Sequence, residues 1–594
     1  MSKVSPEAEM RSLPTWLRTF LEPLKPLYKE ALAASLFVNI LALAAPIFVL
    51  QVYDRVVFHA GISTLQGLTF GMVLVVVFDF VLRQARSRIL QRTALRIDID
   101  VGRRLFTKIM ALPLRTLEQR PANHWHALFR DMENVRNTLS GPTAVLAMDL
   151  PFAVLFLGIV FVFAWPVAWV LVIVFAAFVA LAWHSGRVVS SAAENEKHQH
   201  NLRDGLMGEI VAGRTTIKAT ALTGRMAEIW EGKQADTIAQ SLSRGQKADF
   251  YIAWGQSLTV IATVAMTSVG AVAIMNQQLT IGALIAANML GGRLLGPFNQ
   301  LVGAWRGFAL FRQSAVRLGD VFAETEDPIT SDVVMTRPKG QIKLEDVSFT
   351  YTPSGPPVVD GLNLEIASGG LTAVMGRNGS GKTTLIKLIL RLYSPTSGRV
   401  LIDGADIAQF ALKDLARWIG YVPQECVLFN GTIRDNLTYG RPQSTDEEIV
   451  RAATLATAHD LIISLPKGYG TIVGESGSSL SAGLRQRIAI ARALMGDPPI
   501  IAMDEPTSSL DRHAEEQLRD ALVKLAADHT ILVITHSPVL LESCAHTVVV
   551  DTGKIRAAGR TRTVLEYLAQ QKAGAVKPVL VQNENIPKSK GESG

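Results

Sequence analysis

The residues whose types and spacing best suit chemistry are Gly376, Arg377, Asn378, Gly379, Ser380, Gly381, Lys382 and Thr383, which read G-R-N-G-S-G-K-T. An apolar run, L-T-A-V-M at 371–375, precedes them, and Thr384 with L-I-K-L-I-L follows. Strand, glycine-rich turn and helix in that order form the phosphate-binding P-loop pattern. The glycines let backbone N–H groups close around phosphate, and the helix N-terminus adds positive potential. Lys382 is placed to reach β- and γ-phosphates, and the Thr383 hydroxyl to join a Mg²⁺ shell.

A second constellation lies downstream. The run I-I-A-M at 500–503 reads as a buried strand that ends in Asp504 and Glu505. An aspartate at the end of a strand beside a P-loop can hold the Mg²⁺ shell. The next carboxylate can orient and activate a water for attack on a γ-phosphate. Another apolar run, I-L-V-I-T at 531–535, ends at His536, where ligands bind in open α/β sheets. Between these lie Gln424, in Y-V-P-Q, and L-S-A-G-L-R-Q at 480–486. The latter opens a helix, so Ser481 and nearby N–H groups are suited to phosphate. Tyr351, upstream of the P-loop, can stack on a base.

Strands and helices must alternate to hold these residues, as in an α/β domain, and the composition from 341 to 571 does alternate in that way. A segment at 323–340, A-E-T-E-D-P-I-T-S-D-V-V-M-T-R-P-K-G, loses apolar periodicity and gains Pro and acids, which marks a linker. Residues 572–594, rich in Lys, Gly, Pro, Asn and Ser, read as a disordered tail.

Ahead of the linker the chain is apolar. Over its 594 residues hydrophobic types make up 48% and the mean hydropathy is +0.25, which favours a membrane protein over a soluble enzyme. Apolar stretches fall near 31–52, 65–82, 143–164, 166–183, 252–275 and 282–304, each about the 20 residues a membrane helix needs. The first is too long for a cleaved signal peptide, and a polar lead-in, 1–27, precedes it. Arg83, Arg86, Arg88, Arg92, Arg96, Arg103, Arg104 and Lys108 follow the second span, whereas the connections near 53–64, 165–166 and 276–281 carry little charge. Loops 83–142 and 184–251, and both termini, are therefore expected in the cytoplasm. The net charge of +7 comes from such loops, so no nucleic-acid partner is expected. Asp79, Asp149, His184 and Arg293 are ionisable residues in or near spans, candidates for function or for shaping helices. Two cysteines, Cys426 and Cys544, are too few for a disulfide framework.

The joint order of these motifs resembles that of ABC transporter nucleotide-binding domains. Residues 376–383 match Walker A, Asp504 the Walker B aspartate and Glu505 the catalytic glutamate. Gln424 matches the Q-loop residue, which in that family reaches the Mg²⁺. S-S-L-D at 508–511 matches the D-loop, His536 the switch histidine, Tyr351 the aromatic A-loop residue, and Glu475 in V-G-E-S-G the exporter X-loop. The signature departs from L-S-G-G-Q, with Ala482 and Leu484 in place of Gly and Gln, but Ser481 and Gly483 remain to meet the γ-phosphate. Six spans ahead of this domain is the exporter half-transporter plan. The resemblance implies a homodimer that sandwiches two ATP molecules, each between one chain's Walker A and the other's signature.

Within the exporters, L-Q-V-Y-D-R-V at 50–56, D-F at 79–80, D-L-P-F at 149–152 and the segment from E-Q-R-P at 118–121 to Arg136-Asn137 look like the haemolysin- and protease-type exporters of type I secretion. That resemblance implies coupling helices near 118–130 and 213–222, a periplasmic adaptor and an outer-membrane channel as partners, and a secreted, unfolded protein as cargo. The location implied is the bacterial inner membrane, with the nucleotide-binding domain in the cytoplasm. The lead-in is too short for the peptidase-like domain of some relatives, so no leader cleavage is expected. The alternative cargo is a lipid, glycan or small amphiphile. An ATP-gated channel or receptor is disfavoured, because gating alone could dispense with Glu505.

Overall fold

The computed structural model describes residues 15–57, 59–327, 336–352 and 354–572. The expected tail, 572–594, lies outside them except for Lys572, which ends a helix from Thr561; much of the linker, 328–335, and residues 1–14 also lie outside. Two compact units emerge from the contacts. One runs to Leu112 and resumes over Leu117–Thr325; the other comprises Pro113–Thr116 and the chain from Glu326 onward.

The first unit is helical. Its elements are α1 (Thr15–Leu21), α2 (Lys25–Leu41), α3 (Ala44–Gln51), α4 (Ile62–Ala111), α5 (Leu114–Glu118, whose first residues join the second unit), α6 (Ala122–Ser140), α7 (Pro142–Asp149), α8 (Phe152–Phe163), α9 (Trp165–Ala212), α10 (Arg214–Ala219), α11 (Thr223–Met275) and α12 (Ile281–Ala323). Among the described residues six stretches are long and apolar enough to cross a membrane: Trp16–Val57, Ile62–Ala111, Ala122–Phe163, Trp165–Ala212, Thr223–Met275 and Ile281–Trp305. Each matches one of the six apolar runs read from sequence, the third ending at Phe163, one residue short of the expected 164. The helices α4, α9 and α11 hold 50, 48 and 53 residues, about twice what a bilayer requires.

Phe156, Val160, Leu171, Phe178, Met266, Leu290 and Leu294 form a core shared by α8, α9, α11 and α12. Polar pins supplement it. Arg86 on α4, 7% exposed, donates to Ser35 Oγ at 2.9 Å and to both carboxylate oxygens of Asp149 at 2.9 and 3.1 Å. Asn39 donates to the same Asp149 at 3.0 Å. Asp149 ends α7 and Pro151 caps α8, so this cluster sits where proline breaks the third span. Asp54, in a π-helical turn at Val52–Val57, accepts from Thr280 Oγ1 at 2.6 Å and from Gly282 N at 3.0 Å. A Cβ on Gly282 would stand 2.6 Å from that carboxylate, so the start of α12 needs glycine there.

The other ionisable candidates lie outside this cluster. Asp79 pairs with Arg83 one turn on, at 2.7 Å. His184 is exposed, edge-on to Tyr251, and Arg293, midway along the last span, is exposed on the single chain. The expectation of a coupling helix near 118–130 is corrected. The short helix is α5, at 114–118, whereas 122–140 is the long α6 that leads into the third span. Pro113 follows the extended Leu112, and a residue before proline resists helical backbone, which ends α4 there. The second short helix, α10, falls within 213–222.

The second unit is built on two sheets. Strands β1 (Ile342–Phe349), β2 (Val359–Ile366), β3 (Gly370–Gly376), β4 (Ser397–Ile402), β5 (Ala405–Asp406), β6 (Ile419–Val422), β7 (Ile500–Asp504), β8 (Thr530–Ile534), β9 (His546–Asp551) and β10 (Lys554–Arg560) occur in that order. An antiparallel sheet has the order β2-β1-β4-β5, and a six-stranded sheet the order β10-β9-β3-β8-β7-β6. In the latter, β3, β8, β7 and β6 run parallel. Residues of β7 and β8 are buried throughout, as expected of parallel strands covered on both faces. That explains their unbroken apolar runs.

Candidate functional site

Parallel β3, β8 and β7 bring three loops to one edge: the P-loop after β3, Thr535-His536 after β8, and Glu505 after Asp504 on β7. In such sheets ligands lie beyond the carboxyl ends of the strands. Gly376 closes β3 with φ +154°, and a Cβ there would stand 2.1 Å from Val550 O, so no other residue fits the turn. Gly381, at φ +100°, caps the helix Lys382–Ile389, which starts with Lys382, Thr383 and Thr384.

Lys382 is buried and folds back on the turn, donating to Gly376 O at 2.8 Å and Arg377 O at 2.9 Å. Burial holds its ammonium below the ordinary lysine range, opposed by Glu505 and Asp504. Those two carbonyls are weaker partners than a phosphate would be, so the lysine is free to exchange them for an anion. Among the described residues the buried Ser380 hydroxyl has no hydrogen-bond partner, a further polar atom available in the cradle.

Thr383 Oγ1 donates to Asp504 Oδ2 at 2.7 Å, across 121 residues of sequence. Asp504 is 2% exposed. Burial pushes its carboxyl above the ordinary range; the Thr383 hydrogen bond opposes this, while neighbouring Glu505 adds to it. A hydroxyl and a desolvated carboxylate in contact are hard oxygen donors of the kind Mg²⁺ takes, and a cation there would relieve the buried charge. The residues therefore fit that ion.

Glu505 has φ +50°, a left-handed conformation uncommon for a non-glycine residue and often found where function demands it. Its N–H donates to Ile534 O at 2.9 Å, which ties the end of β7 to that of β8. Gln424 Nε2 donates to Glu505 Oε2 at 3.3 Å, so the two are already together. His536 is exposed directly after the buried end of β8.

Tyr351 lies over the start of the P-loop helix, its hydroxyl 2.9 Å from Thr384 Oγ1. Its ring is edge-on to Phe349 and Tyr393, with centroids 5.2 and 5.7 Å away, and it stays 41% exposed. A supported ring with an open side is suited to stacking on a base. Sequence reasoning missed Tyr393, which stacks on Phe349 at 5.0 Å and carries no local signal. It also missed Arg115, whose guanidinium donates to Tyr351 O at 2.6 Å.

Ser481 and Gly483 stand apart. The Ser481 hydroxyl accepts from Leu484 N at 3.3 Å and caps the helix Ala482–Leu494; among the described residues neither it nor Gly483 hydrogen-bonds to the P-loop of the same chain. Leu484, in place of the usual Gln, is buried in the apolar core with Leu480. The change adds core packing and leaves the cap intact. Arg485 reaches back to Leu480 O at 2.7 Å and Gly477 O at 3.3 Å, which braces the turn holding Glu475. Buried Gln486 accepts from Cys426 Sγ at 3.2 Å, tying the segment after Gln424 to the signature helix.

Six membrane-crossing helices joined to a P-loop sheet with this set of residues define a membrane-integral transporter that couples ATP hydrolysis to transport. Residues 359–508 match the ABC transporter family profile, and residues 30–298 match that of the ABC transporter transmembrane region. The chain is 33% identical to the leukotoxin export ATP-binding protein LtxB of Aggregatibacter actinomycetemcomitans over 552 residues, 93% of this chain and 78% of that protein. It is also 33% identical over 565 residues to the alpha-hemolysin translocation ATP-binding protein HlyB of Escherichia coli, with the same coverage. A structure of a bacterial Atm1-family ABC exporter with ATP bound superposes with a TM-score of 0.80 at 23% identity, covering 94% of this chain and 99% of that one; this establishes the shared fold. The chain belongs to the ABC exporter half-transporters of the type I secretion ATPase/permease family.

Proposed function

We propose that the protein is the inner-membrane ATPase/permease of a type I secretion system and moves an unfolded polypeptide out of the cytoplasm. The observation that carries this reading is the 33% identity, over 93% of the chain, to proteins named for toxin export and translocation. The reading includes a homodimer with cytoplasmic nucleotide-binding units, a periplasmic adaptor and an outer-membrane channel. Ser481 and Gly483, unconnected to the P-loop of their own chain, would serve the nucleotide on the partner's P-loop, and this supports a dimer.

In this reading Tyr351 stacks on the base, and residues 376–384 cradle the phosphates. Lys382 leaves the Gly376 and Arg377 carbonyls for phosphate oxygens. Thr383, Asp504 and Gln424 would hold Mg²⁺, which when bound neutralises charge on the β- and γ-oxygens. Glu505 takes a proton from the attacking water, Gln424 positions that carboxylate, and His536 meets the γ-phosphate. Glu505→Gln is expected to keep ATP binding and to lower turnover by about 100-fold or more. Turnover at the wild-type rate would remove Glu505 from the role of base.

Cargo is tested with the purified dimer in nanodiscs, by ATPase rate and crosslinking with and without C-terminal segments of candidate secreted proteins from the same genome. A segment that changes the rate and crosslinks to the spans is the expected result. Response only to lipids or glycans would replace protein by an amphiphile as cargo.

A further inference from the structure

Arg115 lies in the sequence of the membrane half, four residues beyond the end of α4, yet residues 113–116 belong to the nucleotide unit by their contacts. Leu114 packs on the core beneath the antiparallel sheet. Arg115 does two things there. Its guanidinium donates to the backbone carbonyl of Tyr351 at 2.6 Å, and it lies over the Phe349 ring, 5.8 Å from the centroid. Phe349 is one of the two rings that hold Tyr351 edge-on. Arg115 thus fixes both the main chain of Tyr351 and the aromatic wall behind it. At the other end of Tyr351, the hydroxyl meets Thr384. Thr384 adjoins Thr383, which is bonded to Asp504.

We propose that Arg115 is a positioning residue for the nucleotide base: by holding the main chain of Tyr351 and backing the Phe349 ring, it sets the angle at which Tyr351 meets the base. The inference rests on the reading of Tyr351 as the base-stacking residue. Charge-assisted hydrogen bonds are short and directional, and a backbone carbonyl held in this way limits the rotation that would carry the ring off the base. Among the described residues Arg115 makes no hydrogen bond to residues 376–384, so it should influence base recognition rather than the hydrolytic step.

The test uses the full-length dimer in nanodiscs and compares wild type, Arg115→Ala, Arg115→Lys, Tyr351→Ala and the Arg115→Ala/Tyr351→Ala double variant. Turnover is measured against ATP and against inorganic tripolyphosphate, which has no base. Arg115→Ala is expected to raise the KM for ATP by roughly tenfold, the scale of one charge-assisted hydrogen bond, with kcat within about twofold. Tripolyphosphate kinetics should not change. Arg115→Lys should recover part of the loss. The double variant should be no worse than Tyr351→Ala, because both act through one ring. If Tyr351→Ala itself leaves the KM for ATP unchanged, the base-stacking reading falls and this inference with it. If Tyr351→Ala raises KM while Arg115→Ala does not, or if the two losses add in full, Arg115 is not a positioning residue and only this inference falls. A change in kcat alone, or an equal change with tripolyphosphate, would also overturn it. Arg115 makes its contact at the surface, so the melting temperature without nucleotide should stay at the wild-type value.

Discussion

Removing Asp149 should expose how much the membrane unit depends on one buried charge. Arg86 is 7% exposed and directs one nitrogen at Ser35 and both oxygens of Asp149. In Asp149→Ala the guanidinium keeps, among the described residues, the Ser35 hydroxyl alone. Breaking a buried pair from one side costs about 3–5 kcal/mol, because the remaining charge stays desolvated. The Asp149 side chain is 23% exposed, so water can reach the gap, and we expect a loss of about 2–3 kcal/mol. Arg86→Met in the same background removes the stranded charge and should recover most of the loss. The assay is equilibrium unfolding in mixed micelles, titrated with a denaturing detergent and followed by tryptophan fluorescence, for both single variants and the double. A coupling of at least about 1 kcal/mol in the double-mutant cycle is expected. A cost below about 0.5 kcal/mol for Asp149→Ala, or strict additivity, would refute the pairing as the reason for an aspartate beside Pro151. Normal stability with lost transport would shift its role to the translocation path.

Three more outcomes can be checked. Burial raises the folded-state pKa of Asp504, so the unfolded chain ionises first as pH rises, and the native state loses stability between the unfolded and folded values. Asp504→Asn should therefore melt higher than wild type at neutral pH without Mg²⁺ and nucleotide, lose that advantage as pH falls toward 4, and turn over no ATP; a lower melting point would contradict the assignment. Asp54→Ala removes the acceptor for Thr280 and Gly282 and should cost about 1 kcal/mol, the usual worth of a helix cap. Hydrogen exchange at the first turn of α12 should quicken, and unchanged exchange would dismiss the cap. Burial pushes the Cys426 thiol up to about 11 and the Cys544 thiol up to about 12, leaving roughly one Cys426 in a thousand as thiolate at pH 8. Maleimide labelling of native protein should be slow and become fast on unfolding, and rapid native labelling of either cysteine would refute this.

Local pattern carried most of the fold. The glycine spacing at 376–381 and the continuous apolar runs of β7 and β8 could be read directly, because a buried parallel strand and a P-loop each leave a short-range signature. The six spans were legible for the same reason. Pairings between distant segments were not. Arg86 read as one more cation in a basic loop, and its partner lies 63 residues away. The short helix between the second and third spans was expected too late in the chain. The region near 118–130 comes from a family resemblance, whereas the break is set by Leu112-Pro113. Tyr393 and Arg115 support Tyr351 through contacts that no spacing rule encodes. For the altered signature, sequence showed that Gln is missing, whereas only packing shows that Leu484 fills a core position.

The length of the helices has a mechanical consequence. At 1.5 Å per residue, the 53 residues of α11 measure about 80 Å, of which the hydrocarbon layer takes about 30 Å. No proline interrupts it, and an unbroken helix transmits torque instead of absorbing it at a hinge. Pivoted at the membrane boundary, such a rod would move its far end by about 9 Å for a 10° tilt. The first span, third span and α12 are different: proline or a π-turn interrupts each of them. The bundle therefore combines stiff levers with jointed struts. Placing a proline at an exposed position in the middle of α11 would turn a lever into a joint, and ATP turnover should then continue while its mechanical output is lost.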